Sequence, residues 1–571
     1  MASINVMSTQ FASRRGAPRT GIGPRAVPAP ASAIRSRLNL LSRRFGDQPG
    51  YLDAGRGEVV TWSQVARQAA SWADSLAPGT VVGLRTAAPA AFCRAYLAGL
   101  AAGVCVAPLD PGAAPSRVGQ MLDTLQAADL VVDGEEAAAT VDVPDIHLWI
   151  SSSGGLRQAR RGTAVRVGAP GVAALLPTSG TTGRPKLVPL AEPQLLMAAA
   201  RIATHHALTP QDRGYSPLPL FHVNAQVVGI LSTFVAGSSL VVDDRFHASR
   251  FWAAADDFRA SWLNLVPAIL GILGEVPPPA GAVARRVRFA RSASAPLSRS
   301  VQDQFEARSG IGVLETYGMT EAASQIAANP LLRSERRPGS AGRPTGVPVR
   351  VVGADGGDLP PGETGEIQIR GPQVIRAYLG PGRTPIPARG ADGWLPTGDL
   401  GFRDCDGFLY LAGRSDDVIN RGGEKVHPRE IEEVLLSDPH IRGAAVVGRP
   451  HRLLGEECVA YVVAEPGHVS PGLPGRLVSR CRQVLSPQQQ PASVIVVDAL
   501  PTGPTGKPDR RALRAAAAQD LAPAVRSAAG KQDRHPASHQ PQLNDQHHTT
   551  KRGISDERQS AQPASAQRQA P

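Results

Sequence analysis

Leu175-Leu176-Pro177-Thr178-Ser179-Gly180-Thr181-Thr182-Gly183-Arg184-Pro185-Lys186-Leu187-Val188 is the stretch from which the rest of the chain is read. An apolar, strand-like run enters six consecutive small residues, four hydroxylic and two of them glycine, and Lys186 follows. Small side chains let backbone N–H groups surround an anion; the hydroxyls of Thr178, Ser179, Thr181 and Thr182 add donors, and Lys186 adds charge. Phosphate is the natural ligand of such a loop. It differs from the standard P-loop, which needs its lysine directly after the last glycine, whereas Arg184 and Pro185 intervene here. Apolar segments on both sides and the Arg-Pro-Lys ending argue against a flexible linker.

On the N-terminal side, residues 62–76 and 90–100 read as helices, and 80–85 and 103–108 as strands. Such alternation predicts a layered α/β domain. On the C-terminal side it continues with strands at 172–176 and 239–242 around helix-rich stretches at 194–206 and 251–264. Between 347 and 413 short strands (349–352, 366–370, 408–411) alternate with Gly/Pro/Asp turns, which predicts a β-rich subdomain. After Asp416 a compact α+β segment is expected, with helices at 428–437 and 475–485 and strands at 443–447, 458–463 and 493–497. The expected division is a basic disordered extension over 1–34, a large domain over 35–415, a small domain over 416–513 and a disordered tail over 514–571.

The 571 residues carry a formal net charge of +12, which by itself suggests nucleic acid or an anionic membrane. Residues 1–46, however, contain eight arginines and no acid, and the stretch after Leu513 adds three net positive charges. The middle of the chain is left close to neutral, so no nucleic-acid partner is expected. Five scattered cysteines without CxxC spacing indicate neither a disulfide framework nor a zinc site, and a cytoplasmic location is expected. No apolar run of membrane-spanning length occurs.

Further motifs follow in a fixed order: Leu218-Pro219-Leu220-Phe221-His222-Val223-Asn224, Ser292-Ala293-Ser294-Ala295-Pro296-Leu297, Tyr317-Gly318-Met319-Thr320-Glu321, Trp394-Leu395-Pro396-Thr397-Gly398-Asp399, Gly413-Arg414, Arg421-Gly422-Gly423, and Thr505-Gly506-Lys507-Pro508. Together with the 178–186 loop, this series resembles the ANL superfamily of adenylating enzymes over residues 36–513. Within it, residues 218–329 resemble the oxalyl-CoA synthetase-like group of acyl-CoA synthetases.

The resemblance implies an AMP-forming acid:thiol ligase that uses ATP and Mg²⁺ to make an acyl-adenylate and passes the acyl group to coenzyme A. It implies that His222 lines and gates the acyl pocket and that Ala295 and Pro296 border adenine. Tyr317 would stack on adenine beside Gly318, Thr320 would touch the α-phosphate region, and Glu321 would hold Mg²⁺. An aromatic face, a hydroxyl and a hard carboxylate oxygen suit those three ligands. Asp399 would bind the ribose hydroxyls with help from Arg414, and Asp416 would be the hinge of the small domain. Gly422 and Gly423 would line the pantetheine tunnel, and Lys507 would bridge the attacking carboxylate and the α-phosphate. A carrier-protein phosphopantetheine as acceptor stays open, as does a non-catalytic nucleotide-binding regulator. Several positions depart from the family pattern: Leu187 stands for a glycine, Glu192 for a histidine, Gln489 and Gln490 for Tyr-Lys, Pro508 for an aliphatic residue, and Ser324 for a histidine. The last of these speaks against oxalate itself. The sequence identifies neither the acid nor the oligomeric state.

Overall fold

Apolar runs separated by helices pair as parallel strands, and two nine-stranded sheets result in the computed structural model, which describes residues 32–141, 143–152, 155–178, 186–502 and 507–518. The first sheet has a parallel centre, in the order Val313–Met319, Ala290–Ser292, Trp262–Leu265, Arg213–Ser216, Ser239–Val242 and Pro49–Asp53. Antiparallel strands Ser324–Ala328 and Val59–Thr61 extend it on either side. The second sheet is parallel through Ala174–Thr178, Cys105–Pro108, Val81–Arg85, Asp129–Asp133 and His147–Ser152. Lys186–Leu190 then returns antiparallel along Ala174–Thr178.

The helix Pro89–Ala102 is buried at all of its fourteen positions and packs against strands of both sheets. Its residues are apolar or small apart from Arg94, whose charge is met by Glu58 at 3.2 Å, so the helix is a core helix. The architecture is therefore the layered α/β domain expected from the alternation, followed by a β-rich four-stranded sheet (Val349–Val352, Gly365–Ile369, Leu395–Arg403, Leu409–Arg414). The smaller C-terminal domain is α+β: a five-stranded sheet, built on the long hairpin Ile441–His451 and Gly455–Ala464, carries the helices Pro428–Leu436 and Leu473–Val484. Among the described residues no helix is long and apolar enough to cross a membrane.

Two local expectations change, and one element is new. The helix expected over 251–264 stops at Asp257; Arg259 turns left-handed (φ 52°) and the apolar residues that follow form the strand Trp262–Leu265. Residues 514–518, expected in the tail, continue the helix Arg510–Ala518, which buries Leu513 and Ala517 against the small domain. Asn224–Leu231, directly after the His222 motif, is a π-helix, a form that accumulates at functional sites.

Candidate active site

In parallel α/β sheets ligands bind beyond the carboxyl ends of the strands. Arg213–Ser216 leads into the His222 segment, Ala290–Ser292 into residues 293–297, and Val313–Met319 into the turn Thr320–Ala322. In the second sheet Ala174–Thr178 leads into the Ser/Thr/Gly loop. Thr178 and Lys186 frame that loop as the last pair of a strand register. Ser179, Gly180, Thr181, Thr182 and Gly183 lie outside the described residues.

Asp399 is the centre of the charged cluster. It projects from the β-rich sheet, and the Tyr317 hydroxyl donates to its Oδ2 at 2.5 Å. Arg414, its register partner on the neighbouring strand, places Nη1 3.4 Å from Oδ1. The Asp399 N–H donates to Thr397 Oγ1 at 3.1 Å, and that hydroxyl donates to the Ile367 carbonyl at 2.7 Å, so the turn is fixed from below. Burial pushes the Asp399 carboxyl up from its ordinary range, while Arg414, Tyr317 and Lys507 pull it back. Surrounding protein likewise pushes the Lys507 ammonium down, with Asp399 opposing and Arg414 adding to the shift. Lys507 is exposed as a residue, so water still reaches this ammonium and the effect is a modest one. Tyr317, Asp399, Arg414 and Lys507, from four separate segments, thus share one electrostatic neighbourhood.

Glu321 is 8% exposed, and its Oε1 accepts from the Tyr378 hydroxyl at 3.0 Å. The Lys186 ammonium stands 5.0 Å from the centroid of the Tyr378 ring, so Tyr378 joins the Glu321 side of the site to the phosphate-loop lysine. Among the described residues no cationic side chain forms a salt bridge with Glu321, and its carboxylate can accept a hard cation. Gly318 is required by packing: a Cβ there would lie 1.9 Å from the Ser324 carbonyl oxygen. Thr320 opens the turn, and its carbonyl accepts from Ala323 N–H at 3.0 Å. Ala295 and Pro296 follow Ser294, a non-glycine residue at φ 72°. The half-buried His222 packs its ring on Phe221, with centroids 4.4 Å apart.

Asp416 lies in the exposed turn Ser415–Asp417. The terminal helix clamps that turn: Arg514 donates to the Asp416 carbonyl at 2.9 Å, and Arg510 and Arg514 approach Asp417 at 3.3 and 3.1 Å. Gly422 and Gly423 (φ 62° and 90°) make the two-residue turn between Ile419–Arg421 and Glu424–Val426, where only successive positive φ values let so short a hairpin close. Their recorded bonding stays within the small domain, with the Gly422 N–H donating to Leu454 O at 2.8 Å. They are not part of the Asp399 cluster.

The departures acquire local reasons. Glu192 accepts from Ser32 Oγ (2.8 Å) and Ile34 N–H (3.0 Å), holding the start of the first helix, Ala33–Phe45. Gln489 Oε1 accepts from Ser486 N–H, and Gln490 donates to Leu485 O. Arg421 donates to the carbonyls of Pro487, Gln488 and Gln490, which ties the glycine hairpin to that loop.

Two features escaped the sequence reading. One is Tyr378. The other is a buried polar chain beside the 292–297 loop: Arg291 Nη1 donates at 3.0 Å to both Asn224 Oδ1 and Asn264 Oδ1. Asn224 in turn donates to Ser294 Oγ (3.1 Å) and Asn264 to Ser216 Oγ (3.2 Å). The available signal was an arginine inside the otherwise small and apolar run Phe289-Ala290-Arg291-Ser292.

An α/β fold in which a tyrosine, an aspartate and two cations from separate segments share one charged cluster defines a nucleotide-binding class of protein. Residues 41–379 match the AMP-binding enzyme family and 430–507 its C-terminal domain, and the chain belongs to that family. It is 43% identical to a sulfoacetate–CoA ligase of Cupriavidus necator over 59% of this chain and 66% of that one. It is 37% identical to an oxalate–CoA ligase of Saccharomyces cerevisiae over 60% and 62%. The chain thus spans just under two thirds of the length of these curated relatives. Among solved structures it resembles ATP-bound MatB from Rhodopseudomonas palustris, with a TM-score of 0.74 and 27% identity over 85% of this chain and all of that one.

Proposed function

We propose that the chain is an AMP-forming acid:thiol ligase. The carboxylate of an organic acid attacks the α-phosphorus of ATP and pyrophosphate leaves; the thiol of coenzyme A then attacks the acyl carbon and AMP leaves. The observation that carries this reading is the pairing of Tyr317 and Arg414 with Asp399, within the electrostatic reach of Lys507. A carboxylate flanked by cations suits a ribose held beside a phosphate. The names of the relatives, ligases of sulfoacetate and oxalate to CoA, favour coenzyme A over a carrier protein as acceptor.

In this scheme positioning and charge neutralisation dominate, because the mixed anhydride supplies its own leaving group. Tyr317 packs on the base, Asp399 accepts from the ribose hydroxyls, and Lys507 and Arg414 offset negative charge as the carboxylate approaches phosphorus. Glu321, with Tyr378 holding one of its oxygens, is the residue that would bind Mg²⁺. That ion would supply charge neutralisation on the phosphates. His222 borders the acid, Ala295 and Pro296 border adenine, and the 178–186 loop takes the phosphates. We further propose a division at residues 35–415 and 416–518, the small domain keeping the whole of the helix Arg510–Ala518, with rotation about Asp416 exchanging Lys507 for the Gly422–Gly423 turn between the half-reactions, and a cytoplasmic location.

Lys507→Ala tests the assignment. Acid-dependent ATP/pyrophosphate exchange should fall by at least about 100-fold, while thioester formation from supplied acyl-adenylate is retained. Equal loss of both steps would remove Lys507 from the adenylation half.

A further inference from the structure

We propose that Arg291 receives a second, distal anion of the acid, so that the substrate class is a carboxylic acid bearing another carboxylate or a sulfonate. The inference rests on the acid-activating function above and adds to it the recognition of the acid's far end.

Arg291 is 1% exposed, yet among the described residues no carboxylate lies within ion-pair distance of it. The chain treats its other deeply buried arginine differently: Arg94 has Glu58 at 3.2 Å and Asp133 at 4.0 Å. Arg291 instead spends one nitrogen, Nη1, on two neutral amide oxygens. Its Nε is buried with no partner among the described residues, and Nη2 makes no hydrogen bond to them either. A guanidinium can donate five hydrogen bonds, and a buried charge without a counter-ion is costly unless something supplies one. The cost shows in the acidity of the group, which burial pulls down to about 9.

The position of this charge identifies what would complete it. Arg291 is the middle residue of the strand Ala290–Ser292 that runs into the 293–297 loop, and Asn224 opens the π-helix two residues after His222. The second of these lies beside the residue read as lining the acyl pocket, and the first leads into the residues read as bordering adenine. The chain of bonds descends from exposed Ser294, through Asn224 at 8% exposure, to Arg291. An anion entering under the loop would meet a hydroxyl, then an amide, then a guanidinium, donors that suit the oxygens of a carboxylate or a sulfonate.

The test is ATP/pyrophosphate exchange by the full chain with malonate, sulfoacetate and the uncharged-tail analogue propanoate. The wild type should favour one dianion over propanoate by about 100-fold or more in kcat/KM, the range expected for a charge-assisted buried pair. The preferred dianion tells carboxylate from sulfonate. Arg291→Met should cut the dianion-to-propanoate ratio by at least about 30-fold. Asn224→Asp, which sets a carboxylate of nearly the same shape against Nη1, should do the same while keeping the melting temperature, so the test survives if Arg291→Met fails to fold. A purely structural role would lower exchange with all three acids by a common factor and leave the ratio unchanged, and that result overturns the proposal. So does a wild type that uses propanoate as well as either dianion. Absence of exchange with any carboxylic acid would instead defeat the acid-activating function itself.

Discussion

Replacing Gly318 by alanine tests fold and site together, because the structure sets the size of the disturbance. The added Cβ would lie 1.9 Å from the Ser324 carbonyl oxygen, 2.6 Å from its carbon and 3.0 Å from Gln325 Cα, all backbone atoms. To reach even a 3.0 Å contact the two strands must separate by about 1.1 Å. The turn between them has little slack, since Ala323 and Ser324 already sit at φ 51° and 98° without being glycine. Overpacking of this kind costs about 1–3 kcal/mol, and a backbone clash belongs at the upper end. The displaced strand carries Tyr317 on one side of the alanine and leads to Glu321 on the other. A misplacement of about 1 Å at a reacting centre lowers rate by roughly 100-fold. Gly318→Ala should therefore melt a few degrees lower and lose acid-dependent exchange by about two orders of magnitude even at temperatures where it is fully folded. A variant that keeps its melting temperature within a degree and its exchange rate within about twofold would show that the two strands do not lock Tyr317 and Glu321 in place.

Glu315 gives a pH signature: burial pushes its carboxyl up to about 7, with Arg429 pulling the other way. Between an unfolded value near 4.5 and 7 the native state holds a proton that the unfolded chain has lost, so stability falls as pH rises across that window, by up to about 3 kcal/mol, and levels off above it. Glu315→Gln should melt progressively higher than the wild type from pH 5 to 8, and a gap that does not change with pH would rule out burial as the source. Asp416→Pro fixes φ in the exposed Ser415–Asp417 turn. Thioester formation should fall by about tenfold or more while pyrophosphate exchange stays within about threefold, whereas equal rates for both steps would deny the turn a hinge role.

The motifs could be read from the sequence because each is a short run in which small residues, turn formers and one candidate side chain occur together. Residues whose role depends on distant pairing were not legible. Tyr378 matters through Glu321, 57 positions away, and Arg291 through Asn224, 67 positions away. Neither pairing leaves a local pattern. The missed strand Trp262–Leu265 is a four-residue run with three apolar side chains behind a helix, which periodicity cannot separate from another helical turn. The helix Arg510–Ala518 offers only Leu513 and Ala517 to the core, a pair four residues apart that is too sparse to stand out in an alanine-rich stretch.

The chain's basic character and the site's charge are separate matters. The excess positive charge of the sequence lies in its first 46 residues and after Leu513, whereas the cluster around Asp399 and Glu321 draws on only Lys186, Arg414 and Lys507. Three cations facing two carboxylates leave about one net positive charge. That is too little to collect polyanions at random, and in the proposed scheme the carboxylates choose among them, Asp399 by accepting from hydroxyls and Glu321 by taking a cation carried with the phosphates. On that scheme selectivity for a nucleotide rests on where each charge stands, and raising the site's net charge, by Asp399→Asn for instance, should weaken nucleotide binding even though it adds attraction for phosphate.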